Sequence, residues 1–383
     1  MSSVIYLDHA ATSWPKPPTV MMAMQQAMNE AAANPGRGSH SMAVKASRVL
    51  FGTRMVLSKL FHVKNANDII FTSNTTMALN MAIKGVLQPG DHVIATMIEH
   101  NSVRRPLEYL KRTHGITVDY VKVNGNGELD IADMKLALSH PTKLVVCSHS
   151  SNLLGSILPI AEIGRLAHEQ GALFLVDAAQ SAGVINIDVN EMNIDMLAFP
   201  GHKGLLGPQG TGGLYIAPHV DLEPMLHGGT GSQSEEKEQP TVRPDRYEAG
   251  TPNTPGIAGL RAGVDKVLEL TPSSIYAHEW ELTQRMIDGL KGLPNIVLLG
   301  PEVRKPRSGI VSFVMNNVDS SEIAFRLDRE YGIAVRAGMH CTPLAHYAVR
   351  TEKSGAVRVS VGVDTTEHEV DALVKAMNQL YRT

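Results

Sequence analysis

The feature that most constrains the fold of this chain is a series of short apolar runs, most of them followed by a polar turn and a segment with helical periodicity. Because the runs do not alternate between polar and apolar residues, each predicts a strand that is buried on both faces. Such strands belong to a mainly parallel sheet that lies between layers of helices. The last two runs are too close together for a helix to connect them, which predicts one antiparallel strand. The runs cover residues 68–71, 92–95, 143–146, 173–176, 196–199 and 213–216.

The pattern changes after about residue 262. Long helical segments then alternate with only two apolar strands, which is typical of a smaller α+β unit. We therefore predict an α/β protein with a large domain at residues 15–262. The small domain is predicted to consist of residues 263–383 together with the N-terminal segment 1–14. Residues 228–256 are rich in Gly, Pro and charge and predict an exposed excursion. The helices of the small unit are predicted at 259–270, 274–290, 321–331 and 367–381, and its strands at 310–314 and 357–361.

Composition excludes several classes of protein. The 383 residues include 35 Lys and Arg against 38 Asp and Glu, so a formal net charge of −3 leaves no basic excess for nucleic acid. The chain contains no run of about 18 apolar residues, which is the length that a membrane-spanning helix needs. Two cysteines cannot build a disulfide framework or a cysteine zinc site, and we predict no metal. The chain begins without the charged and apolar regions of a signal peptide, so these features together predict a cytoplasmic protein.

Polar side chains follow the predicted strands at the places where ligands bind to an open parallel sheet, outside the carboxyl ends of its strands. Asp177 ends a buried strand and needs a cation or a donor as partner, while Lys203 lies between two glycines and could reach a ligand. The turn 74–76 could hold a phosphate at a helix start, although plain helix capping also explains it. Together these features fit a pyridoxal phosphate site. The polar runs that follow the strands are residues 72–76, 98–100, 148–152, 177–180 and 200–204.

Five segments of the chain resemble a known enzyme family. Residues 6–11, 177–181 and 201–203 are similar to the class V aminotransferase family, and residues 247–253 and 336–341 narrow the resemblance to cysteine desulfurases. The resemblance implies a fold-type I enzyme whose large domain holds a mostly parallel seven-stranded sheet between helices. It also implies a homodimer that depends on pyridoxal 5'-phosphate (PLP) and removes sulfur from L-cysteine, which leaves L-alanine and an enzyme persulfide.

The resemblance implies a role for each residue around the cofactor. Lys203 would form the Schiff base with PLP and then carry the Cα proton, while Asp177 would keep the ring nitrogen protonated. Gln180 would donate to the phenolic oxygen of the ring, and His100 would stack on the ring and is a candidate acid or base. Asn152 would lie near the ring oxygen and the substrate. The phosphate would be held by Thr75, Thr76 and His202, with Thr251 supplied by the partner subunit.

The resemblance also implies how L-cysteine is held and desulfurated. Arg358, alone in an apolar strand, would bind the substrate carboxylate with Arg336 nearby, so its charge would be satisfied by substrate or by water. Cys341 would attack the substrate sulfur, and its neighbours His340 and Arg336 would favour the reactive thiolate. A compact loop around Cys341 is typical of the subgroup that passes sulfur to a separate acceptor protein, with iron–sulfur cluster assembly as one destination. Cys147 lies in an apolar run and is predicted to be a small buried residue.

Two positions depart from the family pattern. Pro200 stands where the family often has a hydroxyl residue that contacts the phosphate, so phosphate binding would depend more on Thr76, His202 and Thr251. Ala337 stands where Ser or Thr is common, which we interpret as a change in loop stability. Selenocysteine lysis would use the same residues and stays open as an alternative, as does a class V aminotransferase reaction, although a transaminase needs no thiol. A non-catalytic protein is disfavoured because the residues that carry the chemistry are all present.

Overall fold

The structure is a computed structural model that describes residues 4–36 and 38–380. The strands within this range form three sheets, and every strand predicted from an apolar run is present. The strands are β1 (Ile5–Tyr6), β2 (Ile69–Thr72), β3 (His92–Thr96), β4 (Thr117–Val121), β5 (Leu144–Ser148), β6 (Leu173–Asp177), β7 (Met196–Pro200), β8 (Gly212–Ile216), β9 (Ile296–Leu299), β10 (Ile310–Met315), β11 (Ile333–Ala334), β12 (Arg336–Gly338) and β13 (Ala356–Ser360).

The four helices predicted for the C-terminal part of the chain are also present. The first of them begins at Thr254, earlier than predicted, because the Asn253 side chain caps it by accepting a hydrogen bond from Gly256 N at 3.0 Å. Tyr381, the last predicted helical residue, lies outside the described residues. The helices are α1 (Pro18–Glu30), α2 (Ser41–Phe61), α3 (Thr75–Val86), α4 (Asn101–His114), α5 (Ile131–Ala137), α6 (Ile160–Glu169), α7 (Thr254–Leu270), α8 (Pro272–Lys291), α9 (Ser320–Tyr331), α10 (Pro343–Ala348) and α11 (Glu367–Leu380).

The large sheet has seven strands in the order β2-β8-β7-β6-β5-β3-β4. Neighbouring strands pair in parallel, except that β8 runs antiparallel to both β7 and β2, which confirms the predicted antiparallel strand. The apolar runs do not predict β4, because this edge strand alternates between exposed and half-buried residues. The carboxyl ends of β2, β3, β5, β6 and β7 therefore lie along one edge of the sheet, where ligands bind in folds of this type.

The core of the large unit is the reason that the central strands are apolar throughout. Every residue of β5 and β7 is buried, since helices cover both faces of the sheet. Phe174 of β6 and Phe199 of β7 are fully enclosed in the same core. Burial of one such side chain contributes about 1.5–3 kcal/mol to the free energy of folding. Burial of this whole layer can therefore offset the cost of placing polar and charged residues at the carboxyl edge of the sheet.

A second apolar core lies between the antiparallel sheet β12-β13-β10-β9 and helices α8, α9 and α11. Leu7 of the N-terminal segment belongs to this core, and β1 pairs in parallel with β11. The predicted boundary at residues 262–263 lies inside α7, whose Val264 and Val267 belong to the first core, so the division into domains stays a prediction. Residues 228–253 contain no helix or strand and are mostly exposed or half-buried. Within the described ranges, no helix is both long and apolar enough to cross a membrane.

Candidate active site

The carboxyl edge of the large sheet holds a cavity of about 120 Å³. All eight candidate residues at the strand ends line it, together with Ser102, Ser148 and Pro200. The candidates come from the ends of five different strands, and they meet because parallel strands end at one edge. Their chemical roles stay predictions. The eight residues are Thr75, Thr76, His100, Asn152, Asp177, Gln180, His202 and Lys203.

One corner of the cavity is the N-terminus of α3. The Asn74 side chain caps this helix by accepting a hydrogen bond from Met77 N at 2.9 Å, so the capping interpretation of the turn is correct. The cap leaves the N–H groups of Thr75 and Thr76 available, because the first turn of a helix offers them no acceptor. Pro200 lines the same cavity without a hydroxyl or an N–H. An anion at this corner would therefore be bound mainly by the start of the helix.

His202 lies between the cavity and the N-terminal segment. Its Nδ1 is 3.1 Å from Thr12 Oγ1, and Lys16 Nζ donates to its carbonyl oxygen at 2.7 Å. Burial lowers the pKa of His202 to about 4, and the positive charges of Lys203 and Lys16 act in the same direction. The ring is therefore neutral at neutral pH. It can offer a phosphate a hydrogen bond but no positive charge.

Lys203 and Asp177 provide an amine and a carboxyl group in the same cavity. Burial and the nearby charge of Arg358 lower the pKa of Lys203 to about 8, although the charge of Asp177 opposes this shift. Burial raises the pKa of Asp177 to about 6, against a hydrogen bond that its Oδ1 accepts from Ala179 N at 2.9 Å. The glycine after Lys203 is required by close packing, since a Cβ at Gly204 would lie 2.5 Å from Ala182 O. About a tenth of Lys203 is thus a neutral, nucleophilic amine at pH 7, far more than for an ordinary lysine.

Glu99 is a buried carboxyl group that the sequence analysis did not single out. Its Oε1 accepts a hydrogen bond from Ser148 N at 2.9 Å, and its Oε2 accepts one from Ser148 Oγ at 2.8 Å. Burial raises the pKa of Glu99 to about 7, and the negative charge of Asp177 adds to the shift. The signal available in the sequence was a charged residue directly before His100, at the end of an apolar strand. Glu99 therefore supports the floor of the cavity through Ser148.

His100 is tied to two hydroxyl residues of the cavity. Its Nδ1 accepts a hydrogen bond from Ser102 N at 3.0 Å and lies 2.8 Å from Ser102 Oγ. Ser102 Oγ in turn lies 2.7 Å from Thr76 Oγ1. Burial lowers the pKa of His100 to about 4, and Lys203 and other positive charges contribute. His100 is therefore neutral at neutral pH. Ser102, like Glu99, is a residue of the site that sequence reasoning missed.

The structure corrects one expectation about Arg358. Its guanidinium is 1% exposed, and its charge is paired inside the protein: Nη2 donates to Asp8 Oδ1 at 2.7 Å, and Nη1 donates to Asn152 O at 3.0 Å. The expectation that substrate or water satisfies the charge is therefore wrong, because the N-terminal segment brings a carboxylate to it. Arg336 lies opposite Arg358 in the β12–β13 pair. The positive charge of Arg358 lowers the pKa of both Lys203 and His100, so the guanidinium is within electrostatic reach of the cavity.

Cys341 is exposed and lies in the short turn between β12 and α10. Hydrogen bonds join this turn to the cavity wall on both sides of the thiol. Asn101 N donates to Cys341 O at 2.8 Å, and Asn152 Nδ2 donates to His340 O at 2.6 Å. Thr342 Oγ1 donates to Glu99 O at 3.2 Å. The backbone at Cys341 has a φ of 59°, in the left-handed region, so the turn has an unusual and closely held shape.

His340 does not have the role that the sequence suggested for it. Its ring is buried, and Nε2 lies 2.9 Å from Ala356 O. Burial lowers the pKa of His340 to about 3, with a further contribution from the positive charge of Arg358. The ring is neutral at neutral pH and therefore supplies no positive charge that would favour a thiolate at Cys341. Ala337 lies in β12 opposite Val357, where it contributes to sheet pairing.

The remaining candidates differ in how they relate to the cavity. Gln180 lines it, and its Nε2 donates to Ala10 O at 3.1 Å. Thr251 does not reach this cavity in its own chain; it lines a separate one of about 240 Å³, where its hydroxyl accepts a hydrogen bond from Asn34 Nδ2 at 3.4 Å. Cys147 is completely buried inside β5, which confirms the predicted buried position. Among the residues that the structure describes, no group of three or more His, Cys, Asp or Glu could hold a metal ion.

Comparison with known proteins gives a consistent result. The family profile described as aminotransferase class-V matches residues 5–373. A protein named "Probable cysteine desulfurase" from Methanothermobacter thermautotrophicus is 37% identical over 385 residues, which covers 98% of this chain and 94% of the relative. A protein named "Cysteine desulfurase" from Dickeya dadantii is 33% identical over 388 residues, which covers 98% and 92%. The apo structure of cysteine desulfurase from Thermococcus onnurineus superposes with a TM-score of 0.94 at 34% identity and covers 99% of this chain and 95% of that one.

Proposed function

The chain belongs to the class V aminotransferase family, and from that premise we propose that it is a PLP-dependent cysteine desulfurase. In this proposal it converts L-cysteine to L-alanine and holds the sulfur on Cys341 as a persulfide. One observation carries the proposal: the turn that bears the exposed Cys341 is hydrogen-bonded to Asn152, which lines the cavity that contains Lys203, and to Asn101, which lies between the lining residues His100 and Ser102. An enzyme that only transfers amino groups would need no thiol at that place.

The residues of the cavity fit PLP. An amine of lowered pKa at Lys203, a buried carboxyl group at Asp177 and the start of α3 occupy one cavity, and these match the aldehyde, the ring nitrogen and the phosphate of the cofactor. When bound, PLP supplies an electron sink for chemistry at the substrate Cα. Thr75, Thr76 and His202 would hold the phosphate, and Asp177 would hold a proton on the ring nitrogen.

The protein groups would then divide the reaction between them. Arg358, whose charge is already paired with Asp8, would in addition bind the substrate carboxylate, with Arg336 beside it. Lys203 would move the Cα proton. The thiolate of Cys341 would form a bond to the substrate sulfur while the Cβ–S bond breaks. The electron pair of that bond would pass to the carbon fragment, which takes up protons and leaves as L-alanine. Covalent catalysis of this kind replaces one difficult step by two easier ones, since the sulfur is later transferred from Cys341.

The proposal includes a homodimer, in the cytoplasm, that passes sulfur to an acceptor protein. Large apolar side chains on α1 and α2 support the dimer, because Met21, Met22, Phe51 and Met55 are 74%, 66%, 52% and 49% exposed in the single chain. Thr251 would then reach the phosphate of the partner subunit. Mixing Lys203→Ala chains with Thr251→Ala chains tests this arrangement. Since Thr251 would act in the partner's site, both defects would fall in one site of the mixed dimer and leave the other site intact. Part of the activity should therefore return, and no return would argue against shared sites.

The direct test is to incubate purified, PLP-loaded protein with L-cysteine and a reductant and to quantify alanine and sulfide. Equal amounts of the two products are expected from a desulfurase. Formation of a keto acid without sulfide would instead identify an aminotransferase. A parallel reaction with L-selenocysteine measures the preference for selenium, and turnover of selenocysteine alone would contradict the proposed function.

A further inference from the structure

The start of α4 determines where His100 carries its proton. His100 is the N-cap residue of this helix, and its backbone is extended. Its Nδ1 accepts the hydrogen bond of Ser102 N at 3.0 Å. A backbone N–H can only donate, so Nδ1 must present its lone pair. A neutral His100 that keeps this cap therefore carries its proton on Nε2.

The hydroxyl of Ser102 reinforces the same state. Ser102 is 8% exposed, and its Oγ lies 2.8 Å from Nδ1 of His100. Because Nδ1 has no proton to give, the hydroxyl must donate in this contact. Its oxygen then accepts a hydrogen bond from the hydroxyl of Thr76, which lies 2.7 Å away. The three side chains form a directed chain of donors from Thr76 through Ser102 to His100.

We propose that Ser102 is a positioning residue that holds His100 as a neutral imidazole with its proton on Nε2, so that His100 acts as a hydrogen-bond donor and not as a base. Only the catalytic consequence rests on the proposed function, since the place of the proton is a property of the protein without cofactor. If Nε2 were to act as a base, the proton would have to sit on Nδ1. The Nδ1–H would then face the N–H of Ser102, and the cap of α4 would be lost. Transfer of the Cα proton is then the task of Lys203.

The charges around the ring favour the neutral state as well. Burial lowers the pKa of His100 to about 4, and positive groups on several elements contribute. A cation at a helix N-terminus is also disfavoured by the helix dipole. An imidazolium would lose its acceptor for Ser102 N and for the Ser102 hydroxyl. The charged groups that face the ring are Lys203 after β7, Arg105 on α4, Arg336 on β12 and Arg358 on β13.

The test is a pH titration by NMR of the full chain, without cofactor and with ¹⁵N-labelled histidine. The wild-type protein should show an N–H at Nε2 and a lone-pair nitrogen at Nδ1 of His100, with little protonation above about pH 5. Loss of the hydroxyl in Ser102→Ala should raise the midpoint by about one pH unit, because a bond that favours the neutral ring is removed. Ser102→Thr keeps the hydroxyl and should retain the wild-type midpoint. The signals are assigned from the spectrum of His100→Asn.

His40 provides an internal control. It caps α2 in the same way, since its Nδ1 accepts a hydrogen bond from Ala43 N at 3.4 Å, and it does not line the Lys203 cavity. Its ¹⁵N chemical shifts should be the same in the wild-type protein and in Ser102→Ala. A shift of both histidines would show a general structural change, and Ser102 would then not be specific for His100.

Activity measurements test the catalytic consequence. His100→Asn keeps an N–H donor and a residue type that caps helices, so it should lose no more than about tenfold in kcat, whereas His100→Ala should lose about 100-fold or more. Equal losses in the two variants would overturn the donor role. A proton on Nδ1 in the wild-type spectrum, or an unchanged midpoint in Ser102→Ala, would overturn the positioning role. If the NMR results hold but no sulfide forms from L-cysteine, the proposed function alone has failed.

Discussion

The ion pair between Asp8 and Arg358 allows a quantitative prediction: Asp8→Ala should lower the free energy of unfolding. Nη2 of Arg358 donates to Asp8 Oδ1 at 2.7 Å, while Nη1 donates to Asn152 O at 3.0 Å. Arg358 Nε has no hydrogen-bond partner in the part of the chain that the structure describes. Removal of Asp8 would therefore leave a buried positive charge with a single carbonyl as partner. Such a loss typically costs about 3–5 kcal/mol.

The lower end of that range applies here. The side chain of Asp8 is 20% exposed, so water can reach the vacated place and solvate part of the guanidinium charge. An unfolding entropy of about 2.1 cal/mol/K per residue gives about 0.8 kcal/mol/K for a chain of 383 residues. A loss of about 3 kcal/mol then corresponds to a fall in Tm of about 4 °C. Asp8→Asn keeps an acceptor without the charge and should fall between Asp8→Ala and the wild-type protein.

Thermal unfolding of the cofactor-free protein, followed by circular dichroism, measures the effect. Asp371→Ala is the matched control, because it breaks the exposed pair in which Arg285 Nε donates to Asp371 Oδ1 at 2.6 Å, and such pairs contribute little. Replacement of both partners, in Asp8→Ala with Arg358→Met, should recover part of the Tm, since no charge stays buried. Equal Tm values for Asp8→Ala and Asp371→Ala would refute the reasoning that Arg358 depends on Asp8.

Three further predictions concern the chemistry of the site. Cys341→Ala should still bind PLP and L-cysteine but release almost no sulfide, while Cys147→Ala should keep activity; wild-type sulfide release by Cys341→Ala would contradict the persulfide proposal. The pKa of Lys203 is about 8, so the rate at which PLP attaches to the protein should rise about tenfold per pH unit up to pH 8 and then level off; a flat profile in absorbance measurements, or borohydride labelling of Lys203→Ala, would argue against this amine. Burial raises the pKa of Glu99 to about 7 in the folded protein, so the unfolded chain releases this proton first and stability falls by about 3 kcal/mol as pH rises from about 4.5 to 7. Glu99→Gln removes that loss, so the Tm of the variant minus the Tm of the wild-type protein should be larger at about pH 8 than at about pH 5. An equal Tm difference at the two pH values would count against a buried, protonated Glu99.

Local patterns in the sequence predicted the sheet and the edge at which the cavity lies. The strands β5 and β6 contain apolar runs that do not alternate before their polar last residues, so the burial of both faces could be inferred without a structure. The position of Asp177 and Lys203 at neighbouring strand ends followed from the same pattern. The edge strand β4 was not predicted, because two of its five residues are exposed and no apolar run marks it.

Electrostatic states were less accessible to sequence reasoning. Arg336 and His340 both precede Cys341 closely in the sequence, and both were expected to act as cations beside the thiol. The ring of His340 is buried, and burial lowers its pKa to about 3, so the ring is neutral. Its position next to Cys341 in the sequence had therefore suggested the wrong charge. Desolvation depends on every element packed around a group, and most of those elements are distant in the sequence.

The sequence by itself determined the order of the strands along the chain, the identity of the residues at their carboxyl ends and the family to which the chain belongs. Those properties depend on local apolar patterns and on motifs of a few residues. Only the tertiary structure decided that Asp8 pairs with Arg358, that Ser102 joins Thr76 to His100, and that the turn of Cys341 is held against the cavity. Asp8 and Arg358 lie 350 positions apart. Contacts of that kind depend on how two cores and the N-terminal segment pack together, and no local pattern encodes that packing.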